Sequence, residues 1–121
     1  MLGAIAGDII GSVYERQPIK TKDFLLLSEG STFTDDTVLT VAIAEALLND
    51  RDYAKSLRTW GRKYPTAGYG KSFITWLAVD DHPPYGSWGN GSAMRVSPIG
   101  WACSSIDEVL AEAERSAVVS P

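Results

Sequence analysis

The chain has 121 residues, 45% of them hydrophobic and 21% charged, which fits one soluble globular domain with a core of its own. A net charge of −4 and a pI near 4.8 argue against a nucleic-acid backbone as partner. A single cysteine, Cys103, rules out an internal disulfide and suits a reducing cytoplasm, and with one histidine, His82, a Cys/His zinc site is excluded.

Residues 2–16 predict a first helix. Leu2, Ile5, Ala6, Ile9, Ile10 and Val13 form one stripe expected to face the core, and Gly3, Gly7 and Gly11 recur at every fourth position. Glycine costs a helix about 1 kcal/mol relative to alanine, so three in register predict a closely approaching neighbour helix. Asp8, Ser12 and Glu15 share another face, which either lines a cleft or meets water. Asp8, and the lack of a basic region before the apolar residues, make the N-terminus unlike a signal peptide. Over residues 17–33 the periodicity lapses. Arg16, Lys20 and Lys22, flanked by Glu15 and Asp23, read as a solvated face. Phe24-Leu25-Leu26-Leu27 is expected to lie extended over the core, and a loop of this length in a compact domain is often functional.

Phe33-Thr34-Asp35-Asp36-Thr37 precedes the most apolar run of the chain. Val38, Leu39, Ala42, Ile43, Ala46 and Leu47 fall on one helical stripe, with Thr34 placed as N-cap and Asp35 and Asp36 in the first turn. Two readings of these oxygens stand side by side. Acids in a first turn complement the helix dipole, by about 0.3–1 kcal/mol each; hydroxyl and carboxylate oxygens also suit a hard divalent cation.

A turn at Asn49-Asp50-Arg51-Asp52 leads to a third helix over 53–64, with Tyr53, Leu57, Trp60 and Tyr64 inward, closed by Pro65. A short fourth helix over 71–80 buries Phe73, Trp76 and Leu77. Residues 81–91 are turn-rich. Helical spacing resumes over 92–96, is broken or restarted at Pro98, and ends in a helix from Ile106 towards Val118, opened by the capping box Ser105…Glu108. No convincing strand pattern or internal repeat occurs, and the longest apolar tract is too short and too interrupted to span a membrane. The predicted architecture is an all-α compact helical bundle.

His82 has no nucleophile motif near it, and Cys103 reads as a small buried hydrophobe. Gly89-Asn90-Gly91-Ser92-Ala93-Met94-Arg95 places glycines around an asparagine at a helix start, where exposed N–H groups hold phosphates; it also serves as an ordinary turn. Arg95 adds charge or pairs with an acid.

Taken in order, Gly3-Ala4-Ile5-Ala6-Gly7-Asp8 with Glu15, then Thr34-Asp35-Asp36-Thr37, then Gly89 to Arg95, the chain resembles the ADP-ribosylglycohydrolase family over nearly its whole length. The resemblance implies metal-dependent hydrolysis of the bond linking ADP-ribose to a protein side chain or related acceptor, on an all-α fold with a binuclear Mg2+ or Mn2+ site. It maps the first metal motif onto Thr34, Asp35 and Asp36, an acid–base or water-positioning glutamate onto Glu15, and the ADP-ribose-contacting loop onto Gly89, Asn90, Gly91 and Ser92. The family's second acidic motif, of Asp-x-Asp-Thr type, is absent from this sequence. The chain therefore looks like the N-terminal half of the family domain.

Three expectations follow: an enzyme that completes its site by pairing with another chain, an inactive half-domain that still binds a ligand, or a helical interaction module. A half-domain leaves apolar surface uncovered, and Trp60, Trp76, Trp88 and Trp101 make that costly, so a homo-oligomer, most simply a dimer, is expected.

Overall fold

The most apolar run of the sequence becomes the centre of the molecule. In the computed structural model, which describes residues 1–120, it forms α2 (Asp35–Leu48) after α1 (Leu2–Gly11). There follow α3 (Tyr53–Lys63), α4 (Lys71–Ala78), α5 (Gly91–Met94), α6 (Ser97–Ala102) and α7 (Ile106–Ala117). No strand occurs among the described residues, and no helix is long and apolar enough to cross a membrane.

Val38, Leu39, Ala42, Ile43 and Ala46 of α2 are buried together with Tyr53 and Leu57 of α3, Phe73, Trp76 and Leu77 of α4, and Ile99 of α6. Each large side chain so buried contributes about 1.5–3 kcal/mol, which is why α2 sits where the other helices converge. The predicted stripe of α2 is thus realised except at Leu47, which is half-buried. In α4 all three predicted core residues are buried, whereas Trp60 of α3 and Tyr64, which caps its end, are only half-buried. Helices α3 and α4 approach closely at Gly61, where an added Cβ would lie 2.7 Å from a Leu77 methyl.

The ends of the helices follow local chemistry. Ser105 Oγ accepts from Glu108 N (3.2 Å), as the capping box predicts; Glu108 Oε2 reaches back to Ser104 N rather than to its neighbour (2.9 Å). Pro98 restarts the helix, standing in the first turn of α6, and α5 before it is a single turn. Arg51 adopts a left-handed conformation (φ 57°), which lets its N–H close the end of α2 on Ala46 O at 2.8 Å.

The Arg51 side chain holds that turn in place. Its Nη1 and that of Arg115 donate to Glu112 Oε1, at 3.1 and 2.6 Å, while Tyr53 Oη donates to Oε2. Glu112 is buried, and these donors hold its carboxyl below the usual range, its bond from Tyr53 foremost. A Glu112→Gln variant, which keeps an acceptor but loses the charge, is expected to lose about 1–2 kcal/mol in urea unfolding.

Other expectations fail. The first helix ends at Gly11 and continues only as a 3-10 turn over Ser12–Tyr14. No residue of α1 is buried: Leu2 is 80% exposed, and an added Cβ at Gly3, Gly7 or Gly11 would meet nothing within 4 Å. The predicted neighbour helix is not supplied by the described residues. Leu25, Leu26 and Leu27 are likewise exposed instead of lying over the core, and Trp88 and Trp101 stand in solvent. Cys103 is half-buried at the edge of the core.

Candidate active site

The N-cap of α2 is built by long-range contacts. Thr34 has the extended backbone of a cap (φ −121°, ψ −166°), and its Oγ1 accepts a long bond from Asp36 N at 3.4 Å. The capping reading of this stretch is therefore realised. Its stronger support comes from α1: Asp8 Oδ2 accepts from Thr34 N (2.8 Å) and Thr37 N (3.1 Å), and Oδ1 accepts from Thr34 Oγ1 (2.6 Å). One turn on, Ser12 Oγ accepts from Thr32 N at 3.1 Å. The polar face of α1 thus receives residues 32–37, with Asp8 as the main anchor.

The other flank is fixed by the turn after α3. Asp35 N donates to Ala67 O at 2.8 Å, and Phe33 meets Tyr64 edge to face. Gly68 has φ 105°, a conformation that glycine adopts without strain, and an added Cβ there would lie 3.6 Å from Asp35 Oδ1. The buried hydroxyl of Tyr69 has no hydrogen-bond partner.

The electrostatics of the cluster are one-sided. Burial, then Asp36, and further Glu15 and Asp8 push the Asp35 carboxyl up to about 6, against a lowering by its backbone hydrogen bond. Asp36 is raised by burial and by Asp8. Among the described residues neither group forms an ion pair with a lysine or arginine. Among the described residues no three His, Cys, Asp or Glu side chains are arranged to hold a metal ion. Thr34, Asp35 and Asp36 therefore offer the hard-oxygen chemistry of a divalent-cation site without a complete shell of donors.

Asp35 also opens onto a cavity of about 230 Å³, where it meets Gly89, Asn90, Gly91 and Ser92. Gly89 N donates to Ser87 Oγ (3.1 Å), and Asn90 begins α5 through its carbonyl alone, accepting from Met94 N (2.9 Å). Because α5 is a single turn, its dipole adds little; the loop contributes a polar wall. Thr34 and Asp36 stand beside this cavity without lining it, and Glu15 is exposed after the 3-10 turn. Sequence reasoning missed Ser120, Lys71 and Tyr85, which line the same space from three other parts of the chain. It also missed Trp88, fully exposed between the lining residues Ser87 and Gly89.

Fold and site together define an all-helical domain packed around α2, with a cavity at whose edge Asp35 and its neighbouring acids gather. The family model for ADP-ribosylglycohydrolase matches residues 1–120, and the chain belongs to that family. It is 30% identical over 150 residues to ADP-ribosylhydrolase ARH3 of Xenopus tropicalis, an alignment covering 99% of this chain and 43% of that protein. The Mus musculus protein of the same name is 30% identical over 152 residues (97% and 41%), and that of Homo sapiens 28% over 152 residues (97% and 42%). The chain thus spans less than half the length of these relatives.

Proposed function

We propose that this chain carries the N-terminal part of an ADP-ribosylglycohydrolase active site and, with a second chain completing that site, hydrolyses the glycosidic bond between ADP-ribose and a protein side chain or related acceptor. The supporting observation is the single cavity that joins Asp35 to Gly89, Asn90, Gly91 and Ser92, residues more than fifty positions away in sequence. In this reading the loop receives the ADP-ribose, and Trp88 offers an aromatic face beside it.

Thr34, Asp35 and Asp36 would hold Mg2+ or Mn2+. Thr34 gives its hydroxyl proton to Asp8, so a lone pair beyond the one used by Asp36 N–H is available to a cation. Such an ion orients ribose hydroxyls and activates a water when bound. Glu15 would accept a proton from the attacking water or position it, and the surrounding carboxylates would stabilise the positive charge that develops at the anomeric carbon. The remaining donors would come from a second chain, and a homodimer in the cytoplasm would cover the exposed apolar face.

Titrating ADP-ribose into the purified chain by calorimetry, with Mn2+ or Mg2+ and then with chelator, tests the reading. Binding that needs the metal and disappears in the Asp35→Ala/Asp36→Ala double variant is the expected result, with little turnover by monomer. No binding under either condition overturns it. Light scattering tests the assembly: a dimer is expected, and a monomer that releases ADP-ribose efficiently would sink the shared-site account.

A second reading has its own support. The uncovered face of α1 and the exposed Leu25, Leu26 and Leu27 favour a catalytically inactive half-domain that self-associates. Dimerisation without ADP-ribose binding would establish it instead.

A further inference from the structure

Among the described residues two tyrosines are buried, Tyr53 at 3% exposure and Tyr69 at 7%, and their hydroxyls fare differently. Tyr53 Oη donates to the Glu112 carboxylate. Tyr69 Oη is buried with no hydrogen-bond partner. A phenylalanine would fill the same space without burying an unpaired donor. The hydroxyl therefore carries a desolvation cost that contacts within the chain do not return.

The ring itself is fixed. It packs tilted against Phe73, 5.4 Å between centroids, and Phe73 in turn stacks on the fully buried Trp76. The residues on either side of Tyr69 are tied to the start of α2. Ala67 O accepts from Asp35 N at 2.8 Å, and a Cβ at Gly68 would lie 3.6 Å from Asp35 Oδ1. Gly70 and Phe73 line the same cavity as Asp35. The segment carrying Tyr69 is thus held against the acid cluster. Burial and the Asp35 carboxylate push the Tyr69 hydroxyl up to about 12, so at neutral pH it remains a protonated donor.

We propose that Tyr69 is a positioning residue for the cation site: its hydroxyl donates to one Asp35 oxygen, directly or through one water, when the other oxygen ligates a divalent ion. The inference deepens the proposed function and rests on it for Asp35 as a metal ligand. A carboxylate that is free to turn loses that freedom on taking an ion, and a donor to its second oxygen fixes the orientation beforehand. Asp8 supports the same helical turn from α1 through Thr34, and Tyr69 supports it from the segment after α3. A tyrosine suits the task because a rigid, packed ring delivers its hydroxyl to one place.

Calorimetric titration of Mn2+ into the parent chain and into Tyr69→Phe at neutral pH tests the assignment. The variant is expected to bind Mn2+ about tenfold more weakly. Its thermal midpoint without metal should equal the parent's or rise, because no bond made within the chain is lost. Tyr53→Phe is the opposite control: it should lower that midpoint through Glu112 and leave Mn2+ affinity unchanged. A spectroscopic readout comes from the chain labelled with 13C-tyrosine. The Cζ resonance that vanishes in Tyr69→Phe should shift saturably in the parent as Mg2+ is added.

Equal Mn2+ affinity in the parent and Tyr69→Phe, or a Cζ resonance unmoved by bound Mg2+, overturns the inference while the proposed function stands. A loss of affinity that comes with a lower midpoint in the absence of metal assigns Tyr69 to the core alone, and also overturns it. A parent chain that binds neither ion removes Asp35 from the ligand set, which overturns the proposed metal site and this inference with it.

Discussion

Replacing Asp8 with alanine is expected to lower the stability of the chain by about 3 kcal/mol and to release the start of α2 from α1. The carboxylate of Asp8 accepts three hydrogen bonds, two from backbone N–H groups and one from the Thr34 hydroxyl, all bridging to a segment 26–29 residues away. Bonds to a charged acceptor contribute about 1.5–3 kcal/mol each when considered singly. They share one carboxylate and are half-buried, so they do not add in full, and the sum settles near the figure given. Asp8→Asn separates charge from geometry. Its amide oxygen can accept from both N–H groups, and its NH2 can donate to Thr34 Oγ1, so most of the anchor is retained. Urea unfolding checks this: Asp8→Ala should fall well below Asp8→Asn, and an alanine variant within about 0.5 kcal/mol of the parent, the error of such comparisons, refutes the anchoring role. Because Asp8 positions Thr34 and the first turn that follows it, the alanine variant should also weaken Mn2+ binding, on the order of 10–100-fold, as loss of an outer-sphere partner does.

That role was only half legible in the sequence. Helical spacing placed Asp8 and Ser12 on one face and left open whether it met a cleft or water, because nothing local announces a bond to a loop twenty or more residues on. The helices themselves were easier. Thr34 and Ser105 are capping residues whose side chains bond the first turn, and the stripes of α2 and α4 bury the residues they predict. Where a boundary moved, the cause is local: Pro98 fixes a helix start, and residues 79–80 turn away from α4 once Val79 becomes extended.

The misreading of α1 has a different cause. An apolar stripe with glycines every fourth residue says that a face is made to be covered; it does not say by which chain. Leu2, Ile5, Ile9 and the three glycines encode packing against something the described residues do not contain, and the exposed Leu25–Leu27 patch carries the same message. Arg95 illustrates the converse limit. Its place after Gly-Asn-Gly-Ser suggested charge at a binding loop, yet its burial on Ser116 and Ser120 depends on where α7 ends in space. No spacing within the motif encodes that.

Asp35→Asn should stabilise the metal-free chain at pH 8 and leave it nearly unchanged at pH 3.5. Burial and the acids Asp36, Glu15 and Asp8 raise the Asp35 carboxyl from 3.8 to about 6, so the folded chain holds its proton more tightly than the unfolded chain. Below pH 3.8 both states are protonated and that contribution is fully present. It is lost as pH rises to about 6, and above that the folded chain carries the unfavourable charge. The raw shift corresponds to about 3 kcal/mol, but Asp35 is only half-buried and solvent screening reduces this to about 1–2 kcal/mol. A divalent cation reverses the sign for the parent alone. At a hundredfold excess over its dissociation constant it contributes about 2.7 kcal/mol, and the asparagine variant, with one hard charged ligand removed, should gain far less. Thermal melts at the two pH values, with and without Mn2+, check all four corners. An asparagine variant that is less stable than the parent at pH 8 without metal would show that the charge of Asp35 is already compensated within the chain. A variant that gains as much from Mn2+ as the parent would remove Asp35 from the proposed ligand set.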